Sequence, residues 1–438
     1  MIMKKAITDG ILVTGDGETK IDGSLVLIKD EIIIYAGESK DFDRDDYEII
    51  DASGSLLIPG IINAHAHGIV PNAPLFSSGS KALSDKQAEK NLRKHLSQGT
   101  TAILSVDGFA NPEDVVNINH ETLLNIKTAI THTPKSYEAA MKIDGEGIQK
   151  KFNNDNVLRN FPWIVGALGE CGSGATLGGG VQDYKFIPEM VERHYGVKLT
   201  ADIARQIKEA IVGRFIDEGA YDVKKLEEVL STSNIDAPLE EVKQRIIDCV
   251  MPCFRLSLES ITESADAKYN LPVIIHSAAA SMDTIDKITL CRGYGIIAAH
   301  SNHSSYKLDE ALEFAEEIKK REVIIDISTF DTLNTNNQKE IEYFMRFLER
   351  GVVDTVSTDY GGGNHCSILS MLDLAVKDGV VSLPQAIKLA THNPAKAVPI
   401  LGERRGLVRE GYHADIVFVD TENIGKVGHV MIKGEYVS

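Results

Sequence analysis

Apolar runs of strand length alternate with amphipathic stretches along most of the chain. The strand candidates are IINAHAH, TTAILSVD, YEAAMKID, WIVGALGE, PVIIHS, IIAAHS, VIIDIST and DTVSTD. Helical patterns lie between them; Ala88, Leu92 and Leu96, for example, recur every four residues shortly before a glycine. The eight candidates predict a parallel (β/α)8 TIM barrel, although a doubly wound sheet would alternate in the same way.

Both ends of the chain have a different pattern, in which short β-rich runs are separated by turns. We therefore expect residues 1–58 and 398–438 to pair into one small β-sandwich domain beside a barrel formed by residues 59–397. A helical stretch at 181–262 interrupts the barrel after its fourth strand and is far longer than an ordinary connection. This insertion is expected either to cover the barrel mouth or to pack against a neighbouring subunit.

Composition and charge narrow the class of function. Hydrophobic residues make up 43% of the 438 residues and charged residues 25%, as is usual for a globular protein with a large core. The formal net charge of −18 disfavours nucleic acid and anionic membranes as partners. No apolar run approaches the ~18 residues that span a bilayer, and the first residues do not have the pattern of a signal peptide.

The five cysteines are irregularly spaced and odd in number, which disfavours a disulfide framework and indicates a reducing compartment. We therefore expect a cytoplasmic protein. Cys249 and Cys253 in CVMPC lack a second Cys/His pair, so they are better explained as two packed thiols than as metal ligands.

Six chemically potent side chains fall at the carboxyl ends of strand candidates, the end where barrel enzymes carry their chemistry. They are His65, His67, Glu170, His276, His300 and Asp359. Each alone has a structural explanation; Asp359, for instance, could cap the next helix. Together, four imidazoles and two carboxylates are costly to bury without pairing, so the set predicts a cation site. Nitrogen and oxygen ligands without thiolate suit Zn²⁺, with Mn²⁺, Fe²⁺ or Co²⁺ as alternatives.

The order HxH, acid, His, His, Asp on successive strands resembles the metal-dependent amidohydrolase superfamily. LLIPGIINAHAHG resembles its opening motif, and LATHNPAKAVPIL with RGLVREGYHADIVFVD resembles its passage from the barrel back to the β-domain. The resemblance covers the barrel and both ends of the chain but not the insertion.

The residues of the fourth strand indicate which subgroup of the superfamily the chain resembles. Many binuclear members of the superfamily carry a carbamylated lysine there, whereas this chain has GECGSG, which is similar to the glutamate-bridged centre of enamidase. IIHSAAAS, AHSNHSS and STDYGGG also resemble the ligand segments of enamidase. The resemblance implies two divalent metal ions, with His65, His67 and Asp359 on one, His276 and His300 on the other, and Glu170 between them.

The resemblance further implies hydrolysis of a C–N bond in a cyclic or small amide by a metal-bridging hydroxide, with Asp359 as the catalytic proton acceptor. Four residues that follow ligand positions are candidate contacts to a small-molecule substrate: His303, Tyr360, Asn364 and His365. By analogy with the superfamily we expect a homo-oligomer.

Three other functions stay open. A deaminase on the same scaffold typically uses one metal and often has a glutamate shortly after the fifth-strand histidine, where this chain has HSAAAS. An esterase, lactonase or phosphotriesterase would use the same hydroxide. A non-catalytic scaffold is disfavoured because all six candidate ligands are present.

GSGATLGGG lacks the Gly-Lys-Ser/Thr ending of a phosphate-binding P-loop.

Overall fold

The structure is a computed structural model that describes residues 4–73, 83–144, 154–172, 182–266, 269–292, 295–359 and 365–437. Its strands are β1 (Lys4–Val13), β2 (Lys20–Lys29), β3 (Ile32–Glu38), β4 (Glu48–Asp51), β5 (Ser55–Pro59), β6 (Ile61–Ala66), β7 (Thr100–Ser105), β8 (Asn125–Ile130), β9 (Val165–Cys171), β10 (Val273–His276), β11 (Ile296–Ala299), β12 (Ile324–Ser328), β13 (Thr355–Ser357), β14 (Ile416–Asp420), β15 (Val427–Ile432) and β16 (Glu435–Tyr436).

Its α-helices are α1 (Asp85–Ser97), α2 (Pro112–Glu121), α3 (Pro134–Asp144), α4 (Asn154–Asn160), α5 (Ile187–Tyr195), α6 (Ala201–Val212), α7 (Val223–Thr232), α8 (Leu239–Ser264), α9 (Met282–Cys291), α10 (Leu308–Lys319), α11 (Gln338–Glu349), α12 (Ile368–Lys377), α13 (Leu383–Ala390) and α14 (His392–Ala397). In the described ranges, no helix combines the length and the apolar composition that a bilayer crossing requires.

The two ends of the chain form one separate β-sheet domain. Its strands follow the order β16-β15-β14-β5-β1-β2-β3, and β4 also pairs with β1. β5 joins the two ends, because it pairs in parallel with β1 (Leu57 opposite Leu12) and antiparallel with β14 (Leu57 opposite Phe418). Buried side chains from both ends share one core, with Ile7 and Ile416 among them. The predicted pairing of the chain ends is confirmed.

The main body is the predicted (β/α)8 barrel. Eight strands of the described chain, β6 to β13, lie side by side in chain order, and each consecutive pair is parallel. The first and last strands meet, since the backbone N–H of Asp359, just after β13, donates to the carbonyl oxygen of His65 on β6 at 3.1 Å. A doubly wound sheet would keep its first and last strands apart, so the observed closure excludes that alternative.

The third barrel strand was predicted in the wrong place. Residues 137–144 (YEAAMKID) belong to helix α3. The third strand is β8, with the sequence NIKTAI, and it begins twelve residues before the predicted strand. The helix begins after Thr133, whose Oγ1 accepts a hydrogen bond from the backbone N–H of Ser136 at 3.2 Å. This threonine cap, followed by Pro134 at the first helical position, is the local signal for a helix start.

The insertion consists of helices α5 to α8 and lies against loops at the carboxyl ends of the barrel strands. Arg214, after α6, donates to the carbonyl oxygen of Ser305 in the loop after β11 at 3.2 Å. The backbone N–H of Gly172, after β9, donates to Oγ of Ser260 on α8 at 3.2 Å. These contacts put the insertion on the mouth side of the barrel, in agreement with the first of the two expected alternatives.

Candidate metal centre

The structure brings the six sequence-predicted ligand residues together at the carboxyl end of the barrel. They are His65 on β6, His67 just after it, Glu170 on β9, His276 at the end of β10, His300 just after β11 and Asp359 just after β13. Their side chains are almost wholly buried, apart from Asp359 at 20% and His276 at 17% exposure. Those two residues therefore form the side of the centre that is open to the mouth.

The Glu170 carboxylate lies between two groups of histidines. Its Oε1 is 2.9 Å from Nε2 of His300 and 3.3 Å from Nδ1 of His276. Its Oε2 is 3.8 Å from Nε2 of His67. The two oxygens of one carboxylate thus face different imidazoles, which is the arrangement that a bridging ligand needs.

The other carboxylate, Asp359, lies beside the HxH pair. Its Oδ1 is 3.3 Å from Nε2 of His65 and 3.6 Å from Nε2 of His67. Ligand atoms of these three residues lie within 4.8 Å of one another, and so do those of His65, Glu170 and His300. His65 therefore belongs to both groups, whereas the resemblance implied that it serves one ion only.

The chemistry of this donor set fits a metal. Among the described residues, Nδ1 of His65 has no hydrogen-bond partner, and its Nε2 faces Asp359 at 3.3 Å without the geometry of a hydrogen bond, although the side chain is only 2% exposed. Nδ1 of His300 is unpartnered in the same way. A buried imidazole without hydrogen bonds is costly, and a bound cation would provide the missing partner for Nε2 of His65.

Both carboxylates are held in their charged form. Burial alone would raise the pKa of Glu170, but the neighbouring histidines, His65 first among them, hold the pKa of that carboxyl well below its usual value. Burial also opposes ionisation of Asp359, yet the nearby His300, His65 and His67 lower its pKa to about 2. Ionised carboxylates are the form that binds a metal.

Irregular backbone aims the ligands into the barrel. Ile62 and Ala64 belong to a buried cluster that also contains Ala102, Ala129, Ala167, Ile274 and Ile297 of five neighbouring strands. Residues of so many successive strands can touch only inside the barrel, so a regular β6 would turn His65 outward. The pairing register of β6 with β7 shifts between Asn63 and Ala66, and such a bulge re-aims side chains.

Two of the ligands follow their strands in the left-handed backbone region. His300 has a φ of +37° and Asp359 a φ of +46°. Non-glycine residues adopt this region at an energetic cost, and they cluster at functional sites where the surroundings enforce it. Here the backbone N–H of Asp359 is fixed by the carbonyl oxygen of His65.

Asp107 is a functional residue that the sequence analysis missed. It follows β7, is fully buried, and its Oδ1 accepts from Nδ1 of His67 at 3.2 Å. The same carboxylate accepts from the backbone N–H of Gly68 at 3.1 Å and from Oγ of Ser105 at 2.8 Å. Although burial alone would lower it, the pKa of His67 is raised to about 9, mainly by Asp107. The contact directs Nε2 of His67 toward the other ligands.

Asp326 on β12 supports the other side of the centre. Its carboxylate accepts from Oγ1 of Thr355 and from Oγ of Ser357, both at 2.7 Å, and from the backbone N–H of His300 at 3.4 Å.

Asp107 could have been found in the sequence, because it ends the candidate TTAILSVD as the ligands end theirs. Asp326 lies inside VIIDIST, where only the three-dimensional pairing of β12 with β13 reveals its partners.

The four candidate substrate contacts have different positions. The ring of His303 lies next to the centre, with its centroid 5.6 Å from that of His300 and 5.8 Å from that of His276. His365 stacks on His95 at 4.4 Å, and its Nε2 lies 2.6 Å from Oε1 of Gln98. Its role in substrate binding stays a prediction.

Tyr360 and Asn364 lie outside the described residues.

Residues 255–437 match the model of the amidohydrolase family. The chain is 24% identical over 437 residues to an imidazolonepropionase of Picrophilus torridus, which covers 98% of this chain and 94% of the relative. It is 26% identical over 284 residues to a 5'-deoxyadenosine deaminase of Methanococcus aeolicus, covering 54% of this chain and 64% of that protein.

Among solved structures, a β-aspartyl dipeptidase of Fervidobacterium islandicum superposes with a TM-score of 0.56 at 16% identity, covering 99% of this chain and 96% of the other. At this identity the likeness shows the fold alone. Residues 255–437 thus resemble the amidohydrolase family, and nearly the whole chain is similar to the imidazolonepropionase.

Proposed function

We propose that this chain is a metal-dependent hydrolase of the C–N bond in a cyclic or small amide, with a small molecule as its substrate. The observation that carries the proposal is the Glu170 carboxylate, whose two oxygens face different histidines of one buried cluster. We further propose two divalent ions, Zn²⁺ first among the candidates, and an enamidase-like centre in which Glu170 is the shared ligand.

The proposed ligands divide as the resemblance implies. His65, His67 and Asp359 would hold one ion, and His276 and His300 would hold the other. Two divalent ions at this centre would supply Lewis acidity, which lowers the pKa of water and polarises a carbonyl oxygen.

The protein residues complete the chemistry. Asp359 is ionised and, at 20% exposure, faces the mouth, so its carboxylate is available to accept a proton from water and to return it to the leaving nitrogen. His276 flanks the same opening, and helix α8 of the insertion contacts the loop after β9 beside it.

The amide class is supported by the relative named imidazolonepropionase, because an imidazolone ring is a cyclic amide. A second candidate, deamination, is supported by the relative named 5'-deoxyadenosine deaminase. The segment from Ser277 to Ser281, directly after His276, contains no carboxylate, which lowers the fit to a deaminase. Metal content separates the two candidates, with two ions per chain expected for the amide hydrolase and one for the deaminase.

The first experiment measures metal content and turnover of the zinc-loaded protein on a panel of lactams, imides, N-acyl amino acids, lactones and nucleosides. We expect two equivalents of zinc per chain and hydrolysis of at least one amide. Glu170→Gln should lose most of the metal, whereas Glu349→Gln, on the exposed face of α11, should keep both equivalents. A wild-type content of one equivalent with deamination of a nucleoside would contradict the proposal.

A second variant tests the proton acceptor. Asp359→Asn should retain most of the metal and lose turnover by a factor of about 10²–10⁴, the usual contribution of a general base. If turnover survives in this variant while the metal stays bound, another group accepts the proton.

A further inference from the structure

The side chain of His303 lies at the edge of the metal centre but belongs to neither group of proposed ligands. It is carried by the loop after β11, and its ring centroid is 5.6 Å from that of His300 and 5.8 Å from that of His276. His303 is partly exposed, as is His276, which flanks the opening to the mouth. A substrate that enters the centre beside His276 therefore passes next to the ring of His303.

Ser305 determines which nitrogen of this ring carries the proton. The backbone N–H of Ser305 donates to Nδ1 of His303 at 3.1 Å, and a backbone N–H can only donate. Oγ of Ser305 lies 2.8 Å from the same nitrogen and accepts from the backbone N–H of Ala279 at 3.0 Å, which leaves its hydroxyl proton for Nδ1. Nδ1 is therefore an acceptor, and the ring is neutral with its proton on Nε2.

The loop that carries His303 is held at two further points. Nζ of Lys339 donates to the carbonyl oxygen of Ser304 at 3.0 Å. Nη1 of Arg214, from the insertion, donates to the carbonyl oxygen of Ser305 at 3.2 Å. The ring thus has a fixed place and a fixed tautomer before any ligand binds. A donor that is fixed in advance stabilises a developing negative charge without the cost of reorganising.

The same contacts exclude the other usual roles of a histidine. A general base needs an unprotonated nitrogen that can reach the substrate, and a metal ligand needs a free lone pair. The unprotonated nitrogen of His303 is Nδ1, and its lone pair already accepts from Ser305. The ring therefore offers a ligand one polar group, the N–H of Nε2.

We infer that this Nε2–H donates a hydrogen bond to the carbonyl oxygen of the scissile amide and to the oxyanion that this oxygen becomes. The inference rests on the proposed amide hydrolysis and adds a catalytic residue to it. In that reaction the oxygen of a water bonds to the carbonyl carbon, one water proton passes to Asp359, and the π pair of the carbonyl moves onto its oxygen. When the pair returns, the C–N bond breaks and the nitrogen takes the proton from Asp359. His303 keeps its own proton in both steps.

The first test reads the tautomer without turnover. Zinc-loaded protein with nitrogen-15 in its histidines is studied by NMR, and the signals of His303 are identified by their loss in His303→Gln. Couplings to the ring C–H protons distinguish Nδ1 from Nε2. We expect Nε2 to be protonated and Nδ1 to be unprotonated. A ring that carries its proton on Nδ1 would overturn the inference, because Nε2 would then only accept.

The second test measures the hydrogen bond to an oxyanion. Methylphosphonate, a tetrahedral oxyanion, is titrated calorimetrically into the zinc-loaded wild type, His303→Leu and His303→Gln. Leucine fills the space without a donor, whereas glutamine places an N–H close to the position of Nε2–H. We expect His303→Leu to weaken binding about tenfold or more, and His303→Gln to recover part of the loss.

The matched control is His413→Leu, because His413 is another partly exposed histidine but lies in the β-sheet domain, opposite Ile32. It should bind methylphosphonate as the wild type does. Zinc content and a thermal unfolding curve accompany each titration. A His303→Leu protein with wild-type zinc content and unfolding temperature that binds methylphosphonate at full strength removes His303 as the donor.

The third test uses an amide that the wild type hydrolyses. His303→Leu should lower kcat by a factor of about 10²–10³, the usual effect of removing one oxyanion donor, and should raise KM much less. His303→Gln should recover part of kcat. Wild-type kcat in a zinc-loaded His303→Leu protein would contradict the inference. If the wild type hydrolyses no amide, the proposed function fails, and the methylphosphonate titration decides separately whether His303 binds an oxyanion.

Discussion

Asp107→Asn is the sharpest test of how the centre is built, because Asp107 touches a proposed ligand without being one. In the wild type its carboxylate accepts from His67, Gly68 and Ser105 inside a fully buried space. Asparagine has the same shape but only one acceptor oxygen. If that oxygen stays on His67, the new amide group faces Ser105, whose hydroxyl can turn to accept from it.

The magnitude follows from what this exchange removes. Charge-assisted hydrogen bonds are roughly twice as strong as neutral ones, and losing a carboxylate behind a metal-binding histidine typically costs about 10–100-fold in metal affinity. That range corresponds to about 1.4–2.8 kcal/mol. Asp107→Ala should also lower the free energy of unfolding, because three buried donors would each lose their acceptor, at a cost of about 1–3 kcal/mol each.

The assay has two parts. Competition with a chelating dye gives the zinc affinity of each variant, and urea unfolding of the metal-free proteins gives the stability. We expect Asp107→Asn to weaken zinc binding with a small change in stability, and Asp107→Ala to reduce both. Asp114→Asn, on helix α2, is the matched control and should change neither. Wild-type zinc affinity in Asp107→Asn would refute the idea that Asp107 directs His67.

Two further predictions concern parts of the chain away from the centre. Burial lowers the pKa of His365 to about 3 and the pKa of His95 well below its usual value. Between about pH 6.5 and these folded-state pKa values, the unfolded chain therefore binds more protons than the folded protein. The free energy of unfolding falls as the pH falls through this range, by up to ~1.4 kcal/mol per pH unit for each histidine. His95→Phe keeps the stacked ring and should flatten the slope of unfolding free energy below about pH 6; an unchanged slope in chelator-treated protein would contradict this. Gly402→Ala should destabilise by about 1–3 kcal/mol, because its Cβ would lie 2.3 Å from Cα of Ala395, whereas Gly428→Ala, with its nearest atom at 3.4 Å, should change the unfolding free energy little.

The sequence was sufficient for the barrel and for the six residues that meet at its mouth, since strand ends and the HxH spacing are local signals. It was insufficient where local patterns are ambiguous. NIKTAI contains Asn125 and Lys127, residue types that strands disfavour, whereas YEAAMKID favours a strand by its apolar pattern although it follows a threonine cap. Strand type here is decided by packing rather than by residue preference.

Tertiary contacts explain the remaining differences. Arg205 is one polar residue of an amphipathic helix in the sequence, and only the packing of α6 near the loop after β11 places it and Ser305 on the wall of one small cavity. His365 follows Asp359 by six positions, yet the chain places it against His95 and Gln98. Likewise, His65 reaches the centre because β6 is irregular, not because strand alternation points it inward.

The position of β5 between β1 and β14 has a consequence for how the protein is made. Translation delivers β1 to β5 first, and β14 only when the chain has reached Asp420. Until then, one edge of β5 presents unpaired backbone groups while the whole barrel is being synthesised. Such an open edge invites pairing with other chains, and a contact between residues so far apart in sequence forms slowly. Truncation before residue 416 should therefore leave a nascent protein that is prone to aggregate even though every barrel strand is present.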